Sequence, residues 1–162
     1  MTIIVIELLL ATISLRFLKR TFFHFCHFTR KDFLLTLLFS FVYFLVMYIV
    51  KDTYFGHETF ERFILQSIAR QSIWAFICYP IIIAFSEELF FRLYLSKKTN
   101  MWLAALCFTV LHWRPNGFPS LMFPVLFVFA LAQWSLLKKS GSFWALFITH
   151  LAALYSLLFI YG

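Results

Sequence analysis

The sequence predicts an all-α, polytopic membrane protein with about six transmembrane helices. Of its 162 residues, 63% are hydrophobic, 22% are aromatic and only 13% are charged. Soluble domains are typically about 45–50% apolar and about 25% charged, so this composition excludes an ordinary soluble domain. The 24 phenylalanines support the same class, because Phe is favourable at the lipid-facing centre of a helix. Four glycines and four prolines leave little room for long loops.

Six apolar stretches correspond to the expected helices. A helix needs about 20 apolar residues to cross a bilayer. Four of the stretches approach or reach that length, whereas the first and the fourth are shorter. In chain order the stretches are 2–15, 33–50, 73–95, 101–113, 118–137 and 143–161.

The first stretch carries an acidic residue, Glu7, and basic residues follow it at Arg16, Lys19 and Arg20. It lacks the basic start of a secretory signal peptide, so we interpret it as a retained membrane anchor. We expect Glu7 to lie near the outer membrane interface. The alternative is a contact between Glu7 and a site in the protein core.

Lysine and arginine predict the orientation, because cytoplasmic loops carry an excess of both. Basic residues cluster in the first, third and fifth connections, which should therefore be cytoplasmic, with both termini outside. The clusters are Arg16, Lys19, Arg20, Arg30 and Lys31, then Lys97 and Lys98, then Lys138 and Lys139.

The one long polar stretch, Lys51–Gln71, interleaves phenylalanines with charged residues. This pattern suits either a short amphipathic helix at the membrane interface or a solvated loop, and the sequence does not choose between them.

The formal charge of +7 is interpreted as membrane topology, and we expect no nucleic-acid partner. Cys26, Cys78 and Cys107 have no CxxC spacing, which predicts buried free thiols without a disulfide framework. The five histidines form no HExxH motif, so a zincin-type metalloprotease is disfavoured.

The most informative cluster lies inside the third apolar stretch. Glu87, Glu88 and Arg92 interrupt a run that should be in hydrocarbon, where each charge costs at least about 2.5–3.5 kcal/mol. Residues four apart share a helix face, so Glu88 and Arg92 are the expected ion pair. Glu87 should then face elsewhere, without a local cation. The competing interpretation is that the three residues join helices at an interface.

Depth favours a functional site over an interfacial contact. Glu87 is ten residues from Lys97, or about 15 Å along a helix. His112 lies roughly 21 Å past Lys98, and His150 roughly 16 Å past Lys139, at the same rise per residue. A lone intramembrane histidine more often joins helices. Two of them at the depth of a glutamate indicate water activation and oxyanion stabilisation.

Three short patterns resemble the motifs of the CPBP family, the CAAX prenyl endopeptidase and bacteriocin-processing (Abi) group. Residues 87–92, EELFFR, resemble its EExxxR first motif, and residues 108–112, FTVLH, resemble its FxxxH second motif. Residues 139–150, KSGSFWALFITH, resemble the approach to its third motif, a turn leading to a helix that carries histidine. The three occur in order across 73–161, a little over half of the chain.

The resemblance implies an intramembrane endopeptidase with a four-helix catalytic core. That core would occupy 73–162, and 1–72 would hold the N-terminal membrane anchor helices and the polar loop. By the same resemblance, Glu87 and His112 would activate a water, and His150 would stabilise the oxyanion of the tetrahedral intermediate.

Three further residues receive supporting roles from the resemblance. Phe108 would form a wall of the site, while Glu88 and Arg92 would hold the helix. We expect no required cofactor and find no complete zinc ligand set, with a divalent metal kept as an alternative.

The sequence departs from the family pattern at one position. The third motif usually continues with Asn or Asp four residues after the histidine, and here that residue is Leu154. Loss of one oxyanion donor commonly lowers the rate by about 10²–10³. Tyr155, Ser156 or Asn116 are the candidates to replace the donor.

Two functions follow from these observations. The first is a CPBP-type endopeptidase acting on a membrane-associated peptide or protein substrate, whether prenylated or not. The compact, Phe-rich chain indicates that its cell membrane is bacterial. The second is a non-catalytic bacteriocin-immunity or regulatory membrane protein of the same fold, which Leu154 favours. A small transporter is disfavoured, because no repeat matches the polar segment.

Overall fold

A computed structural model describes residues 2–54, 73–112 and 122–161 of the chain. Within these ranges the backbone forms six principal helices and no strand, as the all-α prediction requires. The third helix continues into a π-helical segment, Glu88–Leu95, and then one α-helical turn, Ser96–Lys98. The helices are α1 (Thr2–Phe22), α2 (Arg30–Tyr54), α3 (Ile73–Glu87), α4 (Met101–His112), α5 (Met122–Ser140) and α6 (Phe143–Tyr161).

Helices α1 and α2 are longer than the corresponding apolar stretches, because polar residues at their ends also adopt the helical conformation. Helix α1 continues past Leu15 to Phe22, and a 3₁₀ turn follows at Phe23–Phe25. Helix α2 includes the first four residues of the polar stretch that begins at Lys51. The rest of that stretch, and with it the choice between an interfacial helix and a loop, lies outside the described residues.

Helix starts and stops follow from local hydrogen bonds. Asp32 Oδ2 accepts from the backbone N–H of Thr29 at 2.7 Å, and Thr29 Oγ1 accepts from the N–H of Asp32 at 3.3 Å, a reciprocal cap for α2. Asn100 Oδ1 caps α4 by accepting from the N–H of Leu103 at 2.8 Å. Gly141 ends α5 with φ 68°, a left-handed conformation that glycine adopts without strain.

The π-helical segment lies at the centre of the bundle. It contacts α1, α4, α5 and α6, so its side chains can meet groups from most of the other helices. Helix α1 packs along α3 and the π segment, α2 packs along α6 and α5, and α4 packs along α5. A cluster around Phe91, Phe108 and Phe129 forms the apolar core of this arrangement.

The surface is more apolar than that of a soluble protein, and several charged side chains are buried. The outward faces of α1 and α2 expose large apolar side chains, among them Phe17, Phe33, Leu34 and Phe41. Charged and polar side chains such as Glu87, Glu88 and Arg92 are instead buried. Extensive exposed apolar surface marks contact with a membrane or a partner.

One helix meets a length and composition criterion for crossing a membrane. Among the described residues, Arg30–Ile49 in α2 provides 20 sufficiently apolar residues, while α4 and the described part of α6 are shorter apolar helices.

The three basic connections meet at one end of the bundle. Ser142 donates a hydrogen bond to the backbone carbonyl of His27, which joins the connection after α5 to the one after α1. Lys97 Nζ lies 4.6 Å from the ring centroid of Phe25, which brings in the connection after the π segment. These contacts bring the three connections together at one end of the bundle.

All three cysteines are free thiols. They are less buried than predicted: Cys26 and Cys107 are partly exposed and Cys78 is exposed. Cys78 lies on an outward face of α3, where an apolar thiol can contact the surroundings of the bundle.

Candidate active site

The polar cluster begins where α3 changes from an α-helix to a π-helix. The backbone N–H of Ser96 bonds to the carbonyl of Phe91, five residues earlier, as a π-helical turn requires. Such turns are rare and often occur at functional sites. The sequence predicted an ordinary helix here, and nothing in ELFFRLYL, which lacks Gly and Pro, signals the change.

Glu87, at the end of α3, lies between two histidines from two other helices. Its Oε1 is 3.2 Å from His112 Nε2, and its Oε2 is 3.5 Å from His150 Nε2. Glu87 is 4% exposed. The structure therefore brings together the three residues that the sequence placed at matched depth on separate helices.

His112, the last residue of α4, is oriented by its own helix. Its Nδ1 lies 2.7 Å from the carbonyl oxygen of Phe108. A carbonyl can only accept, so Nδ1 carries a proton and Nε2 is the nitrogen that faces Glu87. The side chain of His112 is 26% exposed, which makes it the most accessible member of the cluster.

His150, on α6, bridges the two adjacent glutamates. Its Nδ1 is 2.7 Å from Glu88 Oε1, while its Nε2 faces Glu87. The two glutamates therefore share His150, while Glu87 also contacts His112 and Glu88 also contacts Arg92. An imidazole has nitrogens on two edges, so one ring can contact neighbouring carboxylates from both sides.

Arg92 makes the expected ion pair with Glu88. Its Nε lies 3.5 Å from Glu88 Oε2, and its guanidinium carbon lies 4.5 Å from the ring centroid of Phe108. Arg92 is buried, and among the described residues none of its nitrogens makes a hydrogen bond. Its charge is balanced by the carboxylate and by the aromatic face rather than by hydrogen bonds.

Phe108 lies between the polar groups. Its ring centroid is 4.3 Å from that of His112 and 6.3 Å from that of His150. Phe129 on α5 completes this wall, with its ring 5.4 Å from His150. Phe129 could not be predicted as part of the site, because no sequence pattern distinguishes it from the other 23 phenylalanines.

Glu7 lies in the interior and not at an exposed interface. It is 8% exposed, and the hydroxyl of Ser86 donates a hydrogen bond to its Oε2. Ser86 is the residue before Glu87, so this hydrogen bond places Glu7 next to the end of α3 that carries the cluster. The alternative that placed Glu7 at a core site is the one that agrees with the structure.

The candidates to replace the oxyanion donor are not directed at the cluster. Leu154 is half-buried one turn after His150. The hydroxyl of Tyr155 donates to the carbonyl of Ile77 at 3.1 Å, and that of Ser156 donates to Ala152 within its own helix. Asn116 lies outside the described residues.

The two glutamates and two histidines are close neighbours, with nitrogen–oxygen distances of 2.7, 3.2 and 3.5 Å. In the described part of the chain, no three His, Cys, Asp or Glu side chains are arranged to hold a metal ion. Both ring nitrogens of His150 face carboxylates.

A comparison with protein families gives one match. A family model described as Rce1-like, type II CAAX prenyl endopeptidase, matches residues 69–155, which is more than half of the chain. No match was found among curated proteins or among solved structures. The matched range contains Glu87, Glu88, His112 and His150.

Proposed function

The chain belongs to the Rce1-like family of type II CAAX prenyl endopeptidases, a family of membrane-associated proteases, and on this premise we propose that it is an intramembrane endopeptidase. It hydrolyses peptide bonds of a membrane-associated peptide or protein substrate. The observation that carries the proposal is a buried carboxylate, Glu87, held between two imidazoles from separate helices.

Glu87 and His112 together remove a proton from a water. The carboxylate accepts the proton, and the nearby His112 Nε2, 3.2 Å away, shares it. The oxygen of the resulting hydroxide attacks the peptide carbonyl carbon. General base catalysis of this kind typically contributes about 10²–10⁴ in rate.

His150 stabilises the oxyanion. Its Nδ1–H is held by Glu88 at 2.7 Å, which fixes the ring, whereas Nε2 lies 3.5 Å from Glu87, too far for a strong hydrogen bond. A neutral imidazole has one N–H, so this role requires the imidazolium form of His150. In that form Nε2 also carries a proton and can donate to the negative oxygen that develops in the tetrahedral intermediate.

Collapse of the intermediate completes the reaction. The carbonyl re-forms, the C–N bond breaks, and the proton taken from water passes from the Glu87–His112 pair to the leaving amine. The products are a new carboxyl terminus and a new amino terminus, and Glu87 returns to its starting state.

Glu88, Arg92 and Phe108 support this arrangement without touching the reacting atoms. Glu88 fixes the ring of His150, Arg92 balances the charge of Glu88, and Phe108 packs against both histidines. The proposal requires no cofactor, because carboxylate and imidazole supply the base and the oxyanion donor.

The proposed setting is a multi-pass protein of a bacterial plasma membrane with six transmembrane helices and a four-helix core in 73–162. Three basic connections at one end of the bundle support a cytoplasmic position for that end. Both termini would then be extracytoplasmic.

The test uses purified protein in nanodiscs with membrane-anchored peptides, both prenylated and unmodified, in water enriched in ¹⁸O. Hydrolysis must place one ¹⁸O in the new carboxyl terminus, which mass spectrometry detects. Glu87→Gln and His112→Gln should abolish cleavage, while His24→Gln, at an exposed histidine outside the cluster, should not. Cleavage retained in either of the first two variants would refute the mechanism.

A non-catalytic immunity or regulatory role is the second candidate, and Leu154 favours it. In that case the fold binds a bacteriocin or a signalling protein and the polar cluster only stabilises the bundle. Glu87→Gln would then leave the protective or regulatory phenotype intact, whereas the endopeptidase proposal expects that phenotype to be lost.

A further inference from the structure

A hydrolase inside a membrane needs a supply of water. Each turnover consumes one water molecule, and Glu87, the carboxylate that would accept its proton, is nearly buried. Glu87 is 4% exposed and His150 is 3% exposed. Water must therefore reach Glu87 along a route that is polar enough to be hydrated.

A cavity of about 370 Å³ lies between α1 and α3, and Ser86, the residue before Glu87, is part of its lining. One water occupies about 30 Å³ in the liquid, so the cavity has room for several molecules. Apolar side chains such as Leu8, Ile82 and Phe85 form most of its walls, and Glu7, Thr12 and Ser86 contribute polar groups.

The polar wall of the cavity has unused hydrogen-bonding capacity. Among the described residues, Ser86 is the one hydrogen-bond donor to the Glu7 carboxylate, whose two oxygens offer about four acceptor sites. The single hydroxyl proton of Ser86 is also within reach of the carbonyls of Ile82, at 2.7 Å, and Ile83, at 3.1 Å. A purely apolar cavity stays dry, but one with several polar partners binds water.

The same residues connect the cavity to the site. Ser86 directly precedes Glu87 at the end of α3, and its hydroxyl donates a hydrogen bond to Glu7. Water held by Glu7 and Ser86 would therefore lie one residue along the helix from the carboxylate that needs it.

We propose that Glu7, Ser86 and the cavity between α1 and α3 form a water-binding site that supplies Glu87. The inference rests on the proposed endopeptidase function for its purpose, but the presence of water is independent of cleavage. The competing occupant is a lipid acyl chain, which would keep the cavity dry.

X-ray hydroxyl-radical footprinting in nanodiscs tests the site directly, because it oxidises side chains next to water. Phe85 lines the cavity and should be oxidised far more than Phe41, which faces outward on α2. Phe28, in the connection after α1, is the solvent-exposed reference. The Glu7→Leu variant should lower oxidation of Phe85 several-fold and leave Phe28 unchanged, while Glu7→Gln should retain it.

Proteolysis gives the second readout. Glu7→Leu should lower kcat several-fold with little change in KM, because water supply affects the chemical step and not substrate binding. The melting temperature of each variant shows whether it is folded, and Glu7→Gln keeps the comparison available if Glu7→Leu does not fold.

The outcomes separate the two proposals. Oxidation of Phe85 without any cleavage leaves the water site standing and overturns the endopeptidase. Cleavage with an unoxidised Phe85, or with equal oxidation in wild type and Glu7→Leu, overturns the water site.

Discussion

Glu87 and Glu88 are identical neighbours in one polar network, yet the two ends of that network are built differently. At the Glu88 end, the carboxylate is fully buried between two partners. His150 Nδ1 lies 2.7 Å from its Oε1, Arg92 Nε lies 3.5 Å from its Oε2, and Glu88 is 0% exposed. At the Glu87 end, the imidazole contacts are 3.2 and 3.5 Å, and His112 is 26% exposed. Glu88 is therefore held in place by its partners, whereas Glu87 can exchange a proton with His112.

The largest expected effect on kcat follows from replacing Glu87. Glu87→Gln keeps the size and polarity of the side chain but removes its capacity to accept a proton. We expect kcat to fall by about 10²–10⁴ with the melting temperature nearly unchanged. Steady-state cleavage kinetics together with thermal unfolding in detergent measure both quantities. Normal kcat in this variant would contradict the assigned difference between the two ends.

The second-largest effect is expected at His150, which contacts both glutamates. His150→Gln removes the proposed oxyanion donor and the group that holds Glu88, so kcat should fall by about 10²–10³ and stability should also decrease. The matched control is His24→Gln, an exposed histidine outside the network, which should change neither quantity. A loss of stability without a loss of kcat would restrict His150 to a structural role.

The Glu88–Arg92 pair should contribute mainly to the free energy of unfolding. Glu88→Leu leaves the buried Arg92 without its carboxylate, and breaking a buried pair in this way costs about 3–5 kcal/mol. The double variant Glu88→Leu/Arg92→Leu removes both charges and should recover part of that loss. Chemical unfolding of the single and double variants gives the coupling, and simple additivity would argue against the pair.

A smaller gain is expected from restoring the missing donor. Leu154→Asn places an amide one turn after His150, on the same face of α6. If this amide reaches the oxyanion, kcat should rise, by less than the full 10²–10³ that one donor can supply, because the surrounding side chains are packed around leucine. Leu154→Val is the apolar control. Unchanged kcat in Leu154→Asn would show that the site does not use this position.

The smallest expected effect is that of metal removal. The proposed mechanism uses carboxylate and imidazole alone, so dialysis against EDTA should leave cleavage unchanged. Loss of activity that a single divalent cation restores would replace this mechanism with a metal-dependent one and would assign the histidines as ligands.

Much of the fold followed from local patterns. Apolar stretches located the helices, and the Thr29–Asp32 pair and Gly141 account for where α2 begins and α5 ends. The match in depth among Glu87, His112 and His150 followed from simple residue counts, since rise per residue is constant in a helix. Helix ends were less predictable, as α1 shows by continuing past its apolar stretch.

Other features depend on how helices are rotated and packed against one another. The bridge from His150 to Glu88 joins residues 62 apart in the chain, and the contact of Glu7 with Ser86 joins residues 79 apart. The π-helical turns that follow Glu87 have no local signature. Phe129 reaches His150 only because α5 and α6 are neighbours.

The sequence by itself determined that the chain is helical, that its composition suits a membrane, and that a few charged residues stand out because hydrocarbon penalises them. Only the tertiary structure decided which partner each charge has. The physical reason is that helix formation and burial depend on neighbours along the chain, whereas the contacts of a carboxylate depend on the relative rotation of separate helices. Glu87 and Glu88 are adjacent in sequence, and their different surroundings come from α4, α6 and the π segment meeting around them.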